Sequence, residues 1–380
     1  MSKKQNWTII IFFLVLIFGF TAAGLLKPDT ERSEKENRDL AQMPEVTLED
    51  VLDGSFSSAY ETYLTDQFIL RDKWIGIKTM AERAVGKQEV NDIYFAADDY
   101  LIEKHSGVFD TENVRKNISY LAEFLKTWQE RLGAEHVKAV IAPNALEILE
   151  EKLPPFASGQ EEQDFFEIVK EALPAESFVD VQPALKEHSG EYIYYRTDHH
   201  WTTLGAWYAY ETWAKAAGVS YTPREAYHQE ILTEEFFGTI EAKVNVKVSA
   251  DTIEAWLPDQ EVFYRLTFNH DGEKVRDSLY DESYLEVRDK YAVFFGGNQP
   301  LTEIETEAKN GRRLLIIKDS YANCFAPFAV QDFERISMVD MRYFNERLSE
   351  YIADNDFTDI LFLYNASGFA EDVSLAKLSL

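Results

Sequence analysis

The hydrophobic and polar positions of this chain follow two rhythms that alternate along most of its length. Between Leu48 and Val85 the apolar positions recur at helical spacing, which predicts two helices broken near residues 70–72. The same spacing predicts further helices at 113–132 and 160–173. Short apolar runs predict buried strands at 136–142, 178–181, 314–317, 336–339 and 360–364. Alternating strands and helices are typical of an α/β fold with a parallel sheet and crossover helices.

The pattern changes between residues 228 and 300, where short alternating runs replace the helical spacing. Residues 239–248 and 262–269 predict β-hairpins, and 291–295 predict a strand that leads into a glycine-rich turn. We interpret residues 228–300 as a β-rich insertion in the α/β domain.

The N-terminal segment predicts a membrane helix. Two lysines precede an uncharged run from Trp7 to Leu26, close to the ~20 residues that cross a bilayer. Because the lysines come first, the globular part is expected outside the cytoplasm. The alternative is a signal peptide cleaved at Thr21-Ala22-Ala23. The expected organisation is an anchor at 1–28, a linker at 29–47 and an extracytoplasmic domain at 48–380.

Charge and cysteine content exclude several classes of function. A formal net charge of −29 argues against nucleic acid and against an anionic membrane surface as a partner. The single cysteine, Cys324, excludes an intrachain disulfide framework and a cysteine-based zinc site.

A cluster of polar residues stands before a helix that Thr202 or Thr203 is expected to cap. Asp198 and His200 are two residues apart, so in an extended turn they project to the same side. The carboxylate is then placed to hold one ring nitrogen and leave the other as a general base. Asp198, His199 and His200 are also possible metal ligands. Adjacent histidines rarely face one ion, however, and we expect no metal here.

Ser320 is the expected nucleophile. It follows an apolar strand and precedes a helix, and such a turn exposes the hydroxyl beside backbone N–H groups. The alternative is that Ser320 only caps that helix. Two further turns are candidates for oxyanion or substrate binding: Gly297 with Asn298, and Arg342 with Tyr343 after the next strand. The alternative for Gly297 and Asn298 is an ordinary turn, and the alternative for Arg342 and Tyr343 is a surface pair. Asn365, after the last strand, is a weaker candidate of the same kind.

Several motifs resemble the DHHW protein family. They are Glu36-Asn37-Arg38, Thr197-Asp198-His199-His200-Trp201, Gly296-Gly297-Asn298, Lys318-Asp319-Ser320-Tyr321-Ala322-Asn323 and Val339-Asp340-Met341-Arg342-Tyr343. DHHW proteins are similar to the SGNH-hydrolase-like domains of alginate O-acetylation proteins. The resemblance implies a flavodoxin-like three-layer sheet, circularly permuted relative to ordinary SGNH hydrolases. It also implies Ser320 as nucleophile, His200 as base and Asp198 as the residue that orients it. Lys318 departs from the SGNH pattern, where a glycine is usual.

The resemblance implies an O-acyltransferase or esterase, acting on acetyl or a related acyl group of a cell-surface or exopolysaccharide glycan. No cofactor is expected. A transferase would need an acyl donor, which in alginate-type systems implies a multi-span membrane acyltransferase as partner. The alternative is an inactive glycan-binding or assembly protein that retains the fold.

Overall fold

The computed structural model describes residues 3–174, 176–260, 262–269 and 271–379. Its strands are β1 (Arg32–Ser33), β2 (Arg38–Asp39), β3 (Glu89–Val90), β4 (Ile93–Phe95), β5 (Leu101–Glu103), β6 (Val137–Ala142), β7 (Tyr227–Phe236), β8 (Asp251–Pro258), β9 (Tyr264–Phe268), β10 (Asp271–Arg276), β11 (Leu301–Thr306), β12 (Arg313–Lys318), β13 (Arg335–Val339) and β14 (Asp359–Asn365). Its α-helices are α1 (Lys3–Leu26), α2 (Leu48–Asp53), α3 (Ser55–Asp66), α4 (Arg71–Ala84), α5 (Glu112–Leu132), α6 (Ala145–Ile148), α7 (Gln160–Ala172), α8 (Gln182–Glu187), α9 (Thr203–Ala216), α10 (Thr239–Val244), α11 (Ala322–Phe325), α12 (Leu348–Asp354) and α13 (Ala366–Glu371).

The main sheet joins two kinds of strand pairing. Within the described residues it has seven strands in the order β10-β9-β11-β13-β12-β14-β6. The four strands from β13 to β6 are parallel, whereas β11, β9 and β10 add to the edge in antiparallel fashion. The predicted parallel sheet is therefore extended into a mixed one, because residues that we assigned to the insertion supply β9 and β10 at its edge.

Both faces of the central strands are covered, as a doubly packed sheet requires. Along β12, Leu314 and Ile316 belong to one hydrophobic cluster, while Leu315 and Ile317 belong to the other. Alternate residues of a strand point to opposite faces. The uninterrupted apolar run of β12 thus follows from burial on both sides, and the strand ends hold the first polar groups that solvent can reach.

Three local predictions are wrong. Residues 178–181 form an isolated bridge, Phe178 to Ala139, instead of a strand. Residues 239–244 are the helix α10, and 290–293 form a 3-10 helix, where we predicted a hairpin and a strand. Short apolar runs have the same periodicity in a buried helical turn as in a buried strand, so tertiary packing decides between them.

The chain divides into two compact units. The first comprises residues 1–87 with 242–247, and the second comprises 88–241 with 248–380. In the first unit, Arg38 makes a bidentate pair with the buried carboxylate of Asp66, and Glu36 accepts hydrogen bonds from Arg38 and Arg71. Glu36 and Arg38 of the Glu36-Asn37-Arg38 motif thus belong to a part-buried ion-pair network.

Within the described residues, α1 is the helix long and apolar enough to cross a membrane, over Gln5–Gly24. This property concerns length and composition, and an export signal shares it.

Candidate active site

A continuous chain of hydrogen bonds links a carboxylate, an imidazole and a hydroxyl. The Nδ1 atom of His200 lies 2.5 Å from Oδ1 of Asp198, and its Nε2 atom lies 2.7 Å from Oγ of Ser320. Asp198 and His200 are buried, whereas Ser320 is half-buried and therefore open to a small reactant. The structure thus brings together the three residues that the sequence predicted to meet.

Asp198 is fixed from both sides. Its Oδ1 atom accepts the backbone N–H of His200, and its Oδ2 atom accepts the N–H of Thr239 at 3.0 Å. Gly238 makes this approach possible, since a Cβ there would lie 2.2 Å from Cβ of Asp198 and 2.3 Å from its Oδ2. The start of α10 therefore sets the position of the carboxylate.

A second buried carboxylate holds the backbone just before this cluster. Asp251, at the start of β8, accepts the N–H groups of Arg196 and Thr197 and the hydroxyl of Thr197. Because Tyr194 pairs with Trp201 only as an isolated bridge, the loop between them lies outside the main sheet. Asp251 and Gly238 from the insertion anchor this loop.

Aromatic rings enclose the imidazole. Tyr291 stacks on His200 with ring centroids 3.7 Å apart and an interplanar angle of 12°. Its hydroxyl donates to the carbonyl of Ser320. Trp201 donates its ring N–H to the carbonyl of Tyr321, and Tyr321 donates its hydroxyl to the carbonyl of His199. These bonds join the histidine loop to the serine turn, although 120 residues separate His200 from Ser320.

Burial sets the protonation of the pair. Burial lowers the pKa of His200 to about 4, and His199 adds to this effect, while Asp198 opposes it. Burial also opposes ionisation of Asp198, but the neighbouring imidazoles and hydrogen bonds prevail and lower its pKa. At neutral pH the arrangement is a carboxylate, a neutral imidazole and a hydroxyl, which is the state a general base requires.

The serine turn is held by Asp319. This buried carboxylate accepts the N–H groups of Tyr321 and Asn365, and burial raises its pKa. In the described part of the chain, the N–H of Ser320 has no hydrogen-bond partner, so it is available to an oxyanion. Asn365 itself caps α13 and bonds to Asn144, which gives it a structural role.

Lys318 determines how Asn298 is oriented. The Nζ atom of this buried lysine donates to Oδ1 of Asn298 at 2.9 Å and to Oδ1 of Asn323 at 2.8 Å. Burial lowers the pKa of Lys318 to about 8, against the opposing effect of Asp340. Because Oδ1 of Asn298 accepts from the ammonium group, the NH₂ group of this exposed side chain points away from Lys318. The N–H of Gly297 donates to Phe294, so it is not free for an oxyanion.

Arg342 and Tyr343 form an exposed pair after β13. The guanidinium of Arg342 makes a bidentate bond to the buried Asp340, at 2.8 and 2.6 Å, and its carbon lies 5.4 Å from the ring centre of Tyr343. Asp340 raises the pKa of Arg342 against the effect of its burial. Arg342 also contributes to the lowered pKa values of His200 and Lys318.

Asp198, His199 and His200 offer ligand atoms within 4.8 Å of one another, as a metal site would. Both ring nitrogens of His200 already face Asp198 and Ser320, and Nδ1 of His199 lies 3.2 Å from the hydroxyl of Thr239. A metal ion would have to replace these contacts, so the observed geometry favours proton transfer over metal binding.

Sequence reasoning missed Gly238, Thr239, Asp251 and Tyr291, which all come from the insertion. The alternating pattern there gave no sign that these residues contact the site.

The seven-stranded mixed sheet and its α/β packing define an SGNH-hydrolase-like fold, with the β-rich insertion predicted from the sequence. The model of the DHHW protein family matches residues 177–339, which confirms the resemblance to that family. No curated protein has a sequence that matches this chain.

Two solved structures have a similar fold, and a third is a weaker match. A DHHW family protein from Eubacterium siraeum has a TM-score of 0.63 at 27% identity, covering 77% of this chain and 96% of that one. PatB1 from Bacillus cereus, solved with a sulfonyl adduct, has a TM-score of 0.59 at 20% identity, with coverage of 76% and 98%. The O-acetyltransferase domain of Pseudomonas putida AlgJ is more distant, with a TM-score of 0.44 at 12% identity and coverage of 75% and 98%.

Proposed function

We propose that this protein is a membrane-anchored, extracytoplasmic O-acyltransferase or esterase that uses Ser320, His200 and Asp198 as a catalytic triad. The observation that carries the proposal is the pair of contacts at 2.5 and 2.7 Å that joins the three side chains. Each contact is within hydrogen-bond range, and the imidazole between them is neutral at physiological pH.

The first half of the reaction forms an acyl-enzyme. Oγ of Ser320 attacks the acyl carbonyl carbon while Nε2 of His200 takes the hydroxyl proton, and Asp198 stabilises the resulting imidazolium. The N–H of Ser320 and the side-chain amide of Asn298 are the groups available to bind the oxyanion. When the carbon–oxygen bond to the leaving group breaks, His200 returns the proton to that leaving oxygen.

The second half transfers the acyl group to an acceptor. A sugar hydroxyl or water gives its proton to His200 and attacks the acyl carbon. The bond from that carbon to Oγ then breaks, and His200 returns the proton to Ser320. The choice between the two acceptors depends on how well a bound sugar excludes water. We propose a cell-surface or exopolysaccharide glycan as acceptor, with acetyl as the acyl group, on the strength of the DHHW resemblance. Exposed Tyr343, beside Arg342, offers a ring on which a sugar can stack.

A sulfonyl fluoride probe tests the nucleophile directly. Such reagents form stable sulfonyl esters with activated serines, and PatB1 has been solved with a sulfonyl adduct. We expect one label on Ser320 of the parent protein and none in Ser320→Ala or His200→Ala. Cys324→Ala is the matched control, because Cys324 is buried one turn away and should not affect labelling. A folded, unlabelled parent would instead favour a glycan-binding protein without catalysis.

The acceptor and the anchor need separate measurements. Release of p-nitrophenol from p-nitrophenyl acetate reports acyl-enzyme formation, and a suppression of acetate release by added glycan would identify transfer. A transferase also implies delivery of the acyl group across the membrane, which we assign to a multi-span acyltransferase partner. The mass of the membrane-extracted protein distinguishes the anchored form from one secreted after signal cleavage.

A further inference from the structure

The first unit carries an exposed strip of large apolar side chains that the chemistry above does not use. We call it the apolar strip and define it by five residues, each between 40% and 61% exposed: Phe68, Leu70, Trp74, Ile77 and Met80. On α4 and its N-terminal cap, the last four lie within an arc of about 120°, since successive helical residues are 100° apart. These side chains therefore form one continuous apolar face and are not separate exposed residues.

The opposite face of α4 is already occupied. Gly76 and Thr79 are buried, and a Cβ at Gly76 would lie 2.9 Å from the carbonyl oxygen of Asn245. Since α4 packs on the segment 242–247 through Gly76, the apolar strip faces away from that segment.

The strip continues the surface of the membrane helix. Phe20 of α1 stacks on Phe68 with ring centroids 6.1 Å apart, and it meets Trp74 edge-on at 5.6 Å. Phe20 precedes the end of the apolar span, Gly24, by four residues, which corresponds to about 6 Å along a helix. Side chains that contact Phe20 therefore lie at the depth to which amphipathic helices bury their apolar face, about 5–10 Å.

The local charge also fits a lipid surface. Residues 71–87 contain five basic and two acidic side chains, in a chain whose net charge is −29. The amphipathic character and a tryptophan at the boundary are typical of segments that lie in the interface. The net negative charge of the chain argues against a general attraction to anionic membranes. The α4 segment differs from the rest of the chain because its own charge is positive.

We propose that the apolar strip inserts into the outer boundary of the lipid bilayer beside α1, so that α4 lies on the membrane. The partner is the bilayer itself and not a second protein. The proposal rests on the uncleaved anchor and is independent of the catalytic assignment, since Ser320 labelling does not depend on it.

Fluorophore-labelled cysteine variants of the full chain in proteoliposomes test this placement. Ile77→Cys and Met80→Cys are separate reporters within the strip, and Lys126→Cys, at an exposed position of α5, is the control. Native Cys324 is buried and should stay unlabelled. Spin-labelled lipids should remove most of the fluorescence at positions 77 and 80 but not at 126. Aqueous iodide should quench the fluorophore at position 126 but not those at positions 77 and 80.

Two results would overturn the proposal. Quenching of both strip positions by iodide would mean that the strip faces water. Protection of both positions from iodide and from spin-labelled lipid would mean that protein covers the strip. Each variant is also checked by thermal unfolding, which shows that the protein is folded whatever the outcome in the membrane or at Ser320.

Discussion

Asp198→Asn tests the geometry of the proposed triad because both carboxylate oxygens face hydrogen-bond donors. Oδ1 accepts Nδ1–H and the backbone N–H of His200, and Oδ2 accepts the N–H and hydroxyl of Thr239. An asparagine amide has only one oxygen, so in either orientation its NH₂ group must face a donor. The substitution therefore keeps the shape of the side chain while breaking its hydrogen-bond pattern.

The two orientations of the asparagine amide have different effects on the site. If the NH₂ group faces Thr239, a buried backbone N–H loses its partner, which costs about 1–3 kcal/mol. If it faces His200, the imidazole changes tautomer and Nε2 becomes a donor that cannot accept the proton of Ser320. In a serine-protease triad the same change lowers kcat about 10⁴-fold. We expect a loss approaching that figure, equivalent to about 5.5 kcal/mol at 1.36 kcal/mol per decade.

The assay is the burst of p-nitrophenol from p-nitrophenyl acetate, followed at saturating substrate together with the rate of sulfonyl labelling. Thermal unfolding shows whether the variant remains folded. A folded Asp198→Asn protein that loses less than about tenfold in acylation rate, or 1.4 kcal/mol, would refute the role assigned to Asp198.

Three further predictions follow from the same contacts. Lys318→Met should lower kcat with little change in KM. Because the lysine acts through Asn298, the double variant with Asn298→Ala should lose no more activity than Asn298→Ala alone. Additive losses in this double-mutant cycle would contradict the prediction. The acid limb of kcat/KM should centre near pH 4, since the pKa of His200 is lowered to about 4 and its neutral form persists until that pH; a limb near 6.5 would contradict burial as the cause. Gly238→Ala should reduce both activity and melting temperature by displacing Asp198, whereas Gly190→Ala, where no atom lies within 4 Å of the new Cβ, should change neither.

The sequence predicted the meeting of Asp198, His200 and Ser320 better than it predicted the insertion that supports them. Ser320 was recognisable from its turn between a strand and a helix, and Asp198 and His200 from their residue types and their spacing of two before a helix. The strand β12 and the helix α9 were recognisable from continuous burial and from periodicity with a cap at Thr202. In each case local pattern and tertiary environment agree.

The insertion shows where sequence reasoning fails. The Gly238-Thr239 turn touches Asp198 from 41 residues away, and no local pattern encodes that distance. Tyr291 lies in an apolar run that periodicity assigns equally to a strand, so its stacking on His200 was not foreseeable. Lys318 was noted as a departure from the SGNH pattern, but its bond to Asn298 required the folded turn.

The separation of His200 and Ser320 along the chain has a consequence for biogenesis. The ribosome makes the imidazole first, and the hydroxyl that completes the site arrives 120 residues later, on the turn that follows β12. Under the proposed function, an exported but incomplete chain is chemically silent, and reactivity toward a serine probe appears only after His200 and Ser320 have met. The same probe would then serve as a clock for the maturation of the domain outside the cytoplasm.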